Sequence, residues 1–107
     1  MRLVLDASVA VAAARPSEPA HAAAKALVAR VLGGQVEIAV PVIFGIEVGA
    51  SLARVGEPID AVEAYVGALM RVTAELAAIG PRRAKQIRDL AIASRLRAAD
   101  AIYVWLA

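Results

Sequence analysis

Apolar positions recur along the 107-residue chain in two rhythms, one with a period near two and one with helical spacing. Residues 2–5, RLVL, form a short β-favouring run that stops at Asp6, an acid placed to cap the helix that SVAVAAA begins. In RPSEPAHAAAKALVARVLGG, Leu27, Val28, Val31 and Leu32 fall on one helical face, with Ser17 predicted as N-cap, Pro19 in the first turn and Gly33-Gly34 as the stop. Residues 36–40, VEIAV, alternate and then stay apolar up to Pro41, the pattern of a strand buried on both faces. VIFGIEVGASLARVG and PIDAVEAYVGALMRV follow as two helices, divided by Gly56 and Pro58. Residues 71–76, RVTAEL, read as a weak third strand. A helix opens at Pro81, and RAADAIYVWLA, residues 97–107, reads as a last one. This order predicts a single α/β domain over residues 1–107, with a parallel sheet flanked by helices.

Composition changes the picture in three respects. Hydrophobic residues make up 61 % of the chain and charged residues 21 %, so it should fold, but much of the apolar fraction is alanine, which buries little area. No uninterrupted apolar run approaches the roughly 20 residues that cross a bilayer, and Asp6 interrupts the stretch that would make the N-terminus a signal peptide. Cysteine is absent, which excludes disulfides and thiolate metal sites and makes the cytoplasm the expected location.

Most acids take ordinary places; Glu18, Glu37, Glu57, Asp60, Glu63, Glu75 and Asp89 are expected at turns, helix starts or polar faces. Three stand out. Asp6 ends the first apolar strand, where ligands of parallel α/β sheets collect, although a helix cap explains it equally. Glu47 has Ile43, Phe44, Ala50 and Ser51 as its helical neighbours, so it needs a partner unless it reaches water at the rim. Asp100 precedes the wholly apolar AIYVWLA, either as a site acid or as an acid favoured by the helix start. Carboxylates converging at one sheet mouth would repel one another without a cation, and oxygen-only ligands favour Mg²⁺ or Mn²⁺ over zinc. Such an ion meets phosphates, which points to phosphodiester hydrolysis.

LVLDAS, VPVIFGIEVGASLAR and LRAADAIYVWLA, in this order and spacing, resemble the PIN-domain family and within it the VapC-type toxin ribonucleases of toxin–antitoxin pairs. The resemblance implies a parallel sheet of four or five strands and a Mg²⁺- or Mn²⁺-dependent endoribonuclease site. It makes Asp6, Glu47 and Asp100 the metal-holding catalytic acids, with Ser8 supporting them by hydrogen bonding. It also implies RNA as substrate, a cognate antitoxin and a homodimer. Members of the family usually continue past the last helix into a strand that brings a fourth acid. No such residues follow Ala107, so the resemblance implies a domain without the usual C-terminal strand or strands and a first strand with an unpaired edge. The alternative is a shortened or degenerate PIN domain that binds a partner without turnover.

The net charge of +2 does not by itself announce nucleic-acid binding, but six of the 12 basic residues lie between positions 82 and 97. Arg82, Arg83, Arg95 and Arg97 are candidates for a phosphate track toward Asp100; the alternative is a solvated helix face with Lys85 and Asp89 paired. His21 is expected at the surface, and Tyr103 and Trp105 in the core or at a dimer contact.

Overall fold

The first apolar run folds as β1 (Arg2–Val4), and Asp6 turns the chain out of the sheet into α1 (Ala7–Ala14). Its backbone is still extended, while its carboxylate accepts the Ser8 N–H at 2.9 Å and satisfies one of the open donors at the helix start. The computed structural model describes residues 2–107.

Helix α2 (His21–Leu32) begins later than the Ser17 motif predicts. Ser17 caps nothing, and Pro19 stands before the first turn. Residues between the two helices are used instead in tight turns, closed by Glu18 N–H to the Arg15 carbonyl and His21 N–H to the Glu18 carbonyl, both at 3.0 Å. His21 is likewise not a free surface side chain. Its Nδ1 lies 2.8 Å from the Ala12 carbonyl, an acceptor only, so Nδ1 donates and fastens the start of α2 to the end of α1. Past the end of α2, Gly34 takes a φ of +78°, a conformation that side chains resist.

The second strand, β2 (Glu37–Pro41), is buried from Ile38 onward, as its apolar run requires. Helices α3 (Phe44–Arg54) and α4 (Ile59–Val72) follow, divided where Gly56 adopts a φ of +89°. The weak third strand does form, as β3 (Thr73–Ala77). It starts two residues later than predicted because Arg71 and Val72 complete α4, whose last turn Thr73 closes by donating its hydroxyl to the Leu69 carbonyl at 2.9 Å. Helix α5 (Pro81–Ser94) opens with proline at a position where the missing N–H costs nothing, and α6 (Ala98–Leu106) follows it.

Among the described residues three parallel strands in the order β1-β2-β3, with six helices around them, make one α/β domain. Leu3 pairs with Ile38 and Val4 with Ala39; on the other side Ile38 pairs with Thr73 and Ala39 with Glu75, so Ala74 bulges. Strand β1 pairs with β2 alone among the described residues. The resemblance implied four or five strands; the described residues form three.

Ile38 and Val40 point to one face of β2 and join Phe44, Val48 and Leu52 of α3, Val31 of α2 and Leu69 of α4 in the main core. Burying each such side chain contributes about 1.5–3 kcal/mol. The stripe Phe44, Val48, Leu52 fixes how α3 sits, and therefore leaves Glu47 on its flank, half-buried. No helix is long and apolar enough to cross a membrane among the described residues.

Candidate active site

The carboxyl end of β1, the first turn of α3 and the first turn of α6 meet at one cavity of about 530 Å³. Asp6, Glu47 and Asp100 all line it, together with Ser8 and Arg97. Sequence distance separates them by as much as 94 positions; the sheet and the two helix starts bring them together. Arg82, Arg83 and Arg95 do not line this cavity.

Each acid is held by a different device. Asp6 uses Oδ1 to accept the Ser8 N–H, so its position is set by the backbone of the turn. Glu47 accepts the Tyr103 hydroxyl on Oε1 at 2.7 Å. Asp100 receives Arg97 Nε on Oδ2 at 3.2 Å, one helical turn away. All three acids are half-buried, a setting in which their charges are felt more strongly than in bulk water.

Three further polar residues line the cavity that the sequence did not single out as functional: Glu18, Ser51 and Tyr103. Glu18 was expected in solvent, yet the turns before α2 bring it to the cavity, where Arg15 pairs with it at 3.0 Å. Nothing in its local sequence signals this. Ser51 and Tyr103 did have a signal, since they stand four residues after Glu47 and three after Asp100, on the same helical faces. Tyr103 is buried in the core as expected, and its hydroxyl additionally reaches the cavity, where it donates to Glu47. Its phenol is driven well above the ordinary tyrosine range, first by burial, then by the hydrogen bond to Glu47 and the negative charges of Glu47 and Asp6, with the Ala7 backbone acting in the opposite direction.

The lining thus carries four carboxylates, with Arg97 and the Arg15 beside Glu18 as opposing charges. Among the described residues no three metal-ligating side chains are drawn together tightly enough to hold an ion as they stand. The donor set nevertheless suits a hard divalent cation. Asp6, Glu47 and Asp100 offer oxygen alone, and each has one oxygen engaged by the hydrogen bonds above and a second that makes none among the described residues.

The family model of the PIN domain matches residues 3–107. The chain belongs to the PIN-domain family. PIN domains are typically nucleases that act on nucleic acid and generally use divalent metal ions. A comparison with curated proteins returns no match. The acids of this PIN domain therefore lie where a three-segment fold concentrates negative charge, and its basic residues lie outside the cavity except for Arg97 at the rim and Arg15 beside Glu18.

The basic segment itself is divided. Lys85 and Asp89 form the expected pair at 3.1 Å, and the Arg83 guanidinium lies 5.5 Å from the centre of the Trp105 ring while donating to the Ala78 carbonyl. Trp105 in turn donates to Gln86 at 3.3 Å, so Arg83 and Trp105 together fasten α5 to α6. Arg95 caps α5 at a φ of +53°, an uncommon conformation for a side chain other than glycine.

Proposed function

We propose that this PIN domain is a metal-dependent endoribonuclease that hydrolyses RNA phosphodiester bonds as the toxin component of a VapC-type toxin–antitoxin pair. The observation that carries the nuclease reading is the convergence of Asp6, Glu47 and Asp100, from three separate segments, on one cavity. The toxin role, a cognate antitoxin, a homodimer and a cytoplasmic location rest on the motif resemblance.

Asp6, Glu47 and Asp100 would hold Mg²⁺ or Mn²⁺. When bound, such an ion supplies Lewis acidity at the scissile phosphate and makes an attacking water more acidic. The chain's own residues do the rest. Asp6 is fixed by the turn backbone, and its charge faces the same space as Glu47 and Asp100, so the three define where positive charge is favoured. Arg97 stands at the rim with a largely exposed side chain, placed to receive a phosphate oxygen of the incoming strand. Ser8, which also lines the cavity, supports Asp6 through its backbone N–H.

The test is RNA cleavage by the purified chain with and without Mg²⁺ or Mn²⁺, beside Asp6→Asn. Cleavage that requires the ion and vanishes in a folded Asp6→Asn variant is the expected result. Metal-independent cleavage that persists in that variant would sink the assignment. The alternative reading, a PIN domain that binds a partner without turnover, draws on the absence of a ready three-carboxylate cluster among the described residues. It predicts no cleavage under any metal condition.

A further inference from the structure

Glu47 is the longest of the three site acids and has no ion-pair partner among the described residues. Asp6 is held by the turn backbone and Asp100 by an arginine on its own helix. Glu47 is held by a side chain 56 positions away, the Tyr103 hydroxyl, at 2.7 Å. Tyr103 itself is 7 % exposed and belongs to the main core cluster, so its ring cannot swing to follow a wandering partner. A flexible carboxylate with three rotatable bonds thus meets a donor with a fixed address.

We propose that Tyr103 is a positioning residue: by donating to Oε1 it holds Glu47 in the cavity and leaves Oε2 for a divalent ion. This rests on reading Asp6, Glu47 and Asp100 as a metal site. Tyr103 stands one helical turn after Asp100, so the docking of α6 sets one acid directly and a second through the phenol. Neither backbone geometry nor a neighbouring cation performs this task for Glu47. Outer partners of metal ligands govern affinity in this way, and their loss typically costs about ten- to a hundredfold.

Tyr103→Phe removes the donor and keeps the ring in its place. Mn²⁺ binding to the purified chain, Tyr103→Phe and Asp6→Asn is measured by titration calorimetry and by the electron paramagnetic resonance of free Mn²⁺, with thermal melting of each protein without metal. The expected result is an affinity loss of about tenfold or more in Tyr103→Phe, with melting close to that of the parent. If the parent binds Mn²⁺, Asp6→Asn does not, and Tyr103→Phe binds as tightly as the parent, the positioning role is overturned while the metal site stands. If Tyr103→Phe unfolds, the residue belongs to the fold alone and the proposal fails. If the parent binds no Mn²⁺, the metal-site reading falls and takes this role with it.

Discussion

Arg97 Nε lies 3.2 Å from Asp100 Oδ2, so the cation at the rim of the acidic cavity is bonded to one of the cavity's own acids. The Arg97 side chain is 89 % exposed, which screens the attraction and keeps it weak. A divalent ion at Asp100 competes with this tethered charge. Arg97→Ala should therefore tighten Mn²⁺ binding by about two- to fivefold at low ionic strength, with the gain fading as salt is added. Calorimetric titration at two salt concentrations checks it; an affinity that falls on removing Arg97 would contradict the competition.

Asp6 has two separable duties, as cap of α1 and as an acid of the cavity. Asp6→Ala removes both and should lower stability by about 1 kcal/mol through the lost bond to the Ser8 N–H. Asn retains an oxygen for that bond, so Asp6→Asn should unfold at nearly the parent urea concentration while the cavity loses a charge. Equal stability loss in both variants would mean that the cap is not the source of the effect.

What could be read from the sequence was what short-range physics writes there. The apolar run 36–40 and the spacing of Phe44, Val48 and Leu52 specify a buried strand followed by a helix, and the structure has both. Asp6, Glu47 and Asp100 are legible because each is a charge in apolar surroundings, an anomaly visible within a few residues. Glu18 lies in an ordinary polar stretch, and only the turns after Arg15 bring it to the cavity. The Tyr103 bond to Glu47 spans 56 positions, a distance over which no local pattern carries information. Ser17 misled for a related reason: a capping sequence favours a helix start but does not determine one when His21 has a better anchor at Ala12.

Both tyrosines of the chain resist ionisation in the folded state. Burial pushes Tyr65, whose hydroxyl donates to the Ala10 carbonyl at 2.6 Å, up to about 12 from 10.0, and Tyr103 is driven higher still. Above pH 10 the unfolded chain releases these protons while the folded chain keeps them, so the folded state binds more protons and stability falls as pH rises. The contribution of Tyr65 is fully present below pH 10 and is lost as the pH passes through about 12. Tyrosinate absorbance should therefore appear together with the loss of folded circular dichroism, and Tyr65→Phe should flatten the alkaline decline. Tyrosinate signal at pH 10 from a still-folded protein would refute the assignment.

Arg82 and Arg83 are neighbours in sequence with different engagements. Arg83 lies over Trp105 and donates to the Ala78 carbonyl, whereas Arg82 is exposed with no ion pair among the described residues. Arg83→Ala should cost about 0.5–1 kcal/mol of stability and shift the fluorescence of the single tryptophan to the red, because its indole gains water. Arg82→Ala should leave stability unchanged. If the basic segment carries RNA phosphates, Arg82→Ala should also weaken binding of a single-stranded RNA and reduce the salt slope by about 0.7, the share of a single neutralised phosphate. Filter binding across a salt series, run on an Asp6→Asn background so that the RNA stays intact, reads that slope. An unchanged slope for Arg82→Ala would remove this residue from the track and leave α5 as a solvated face.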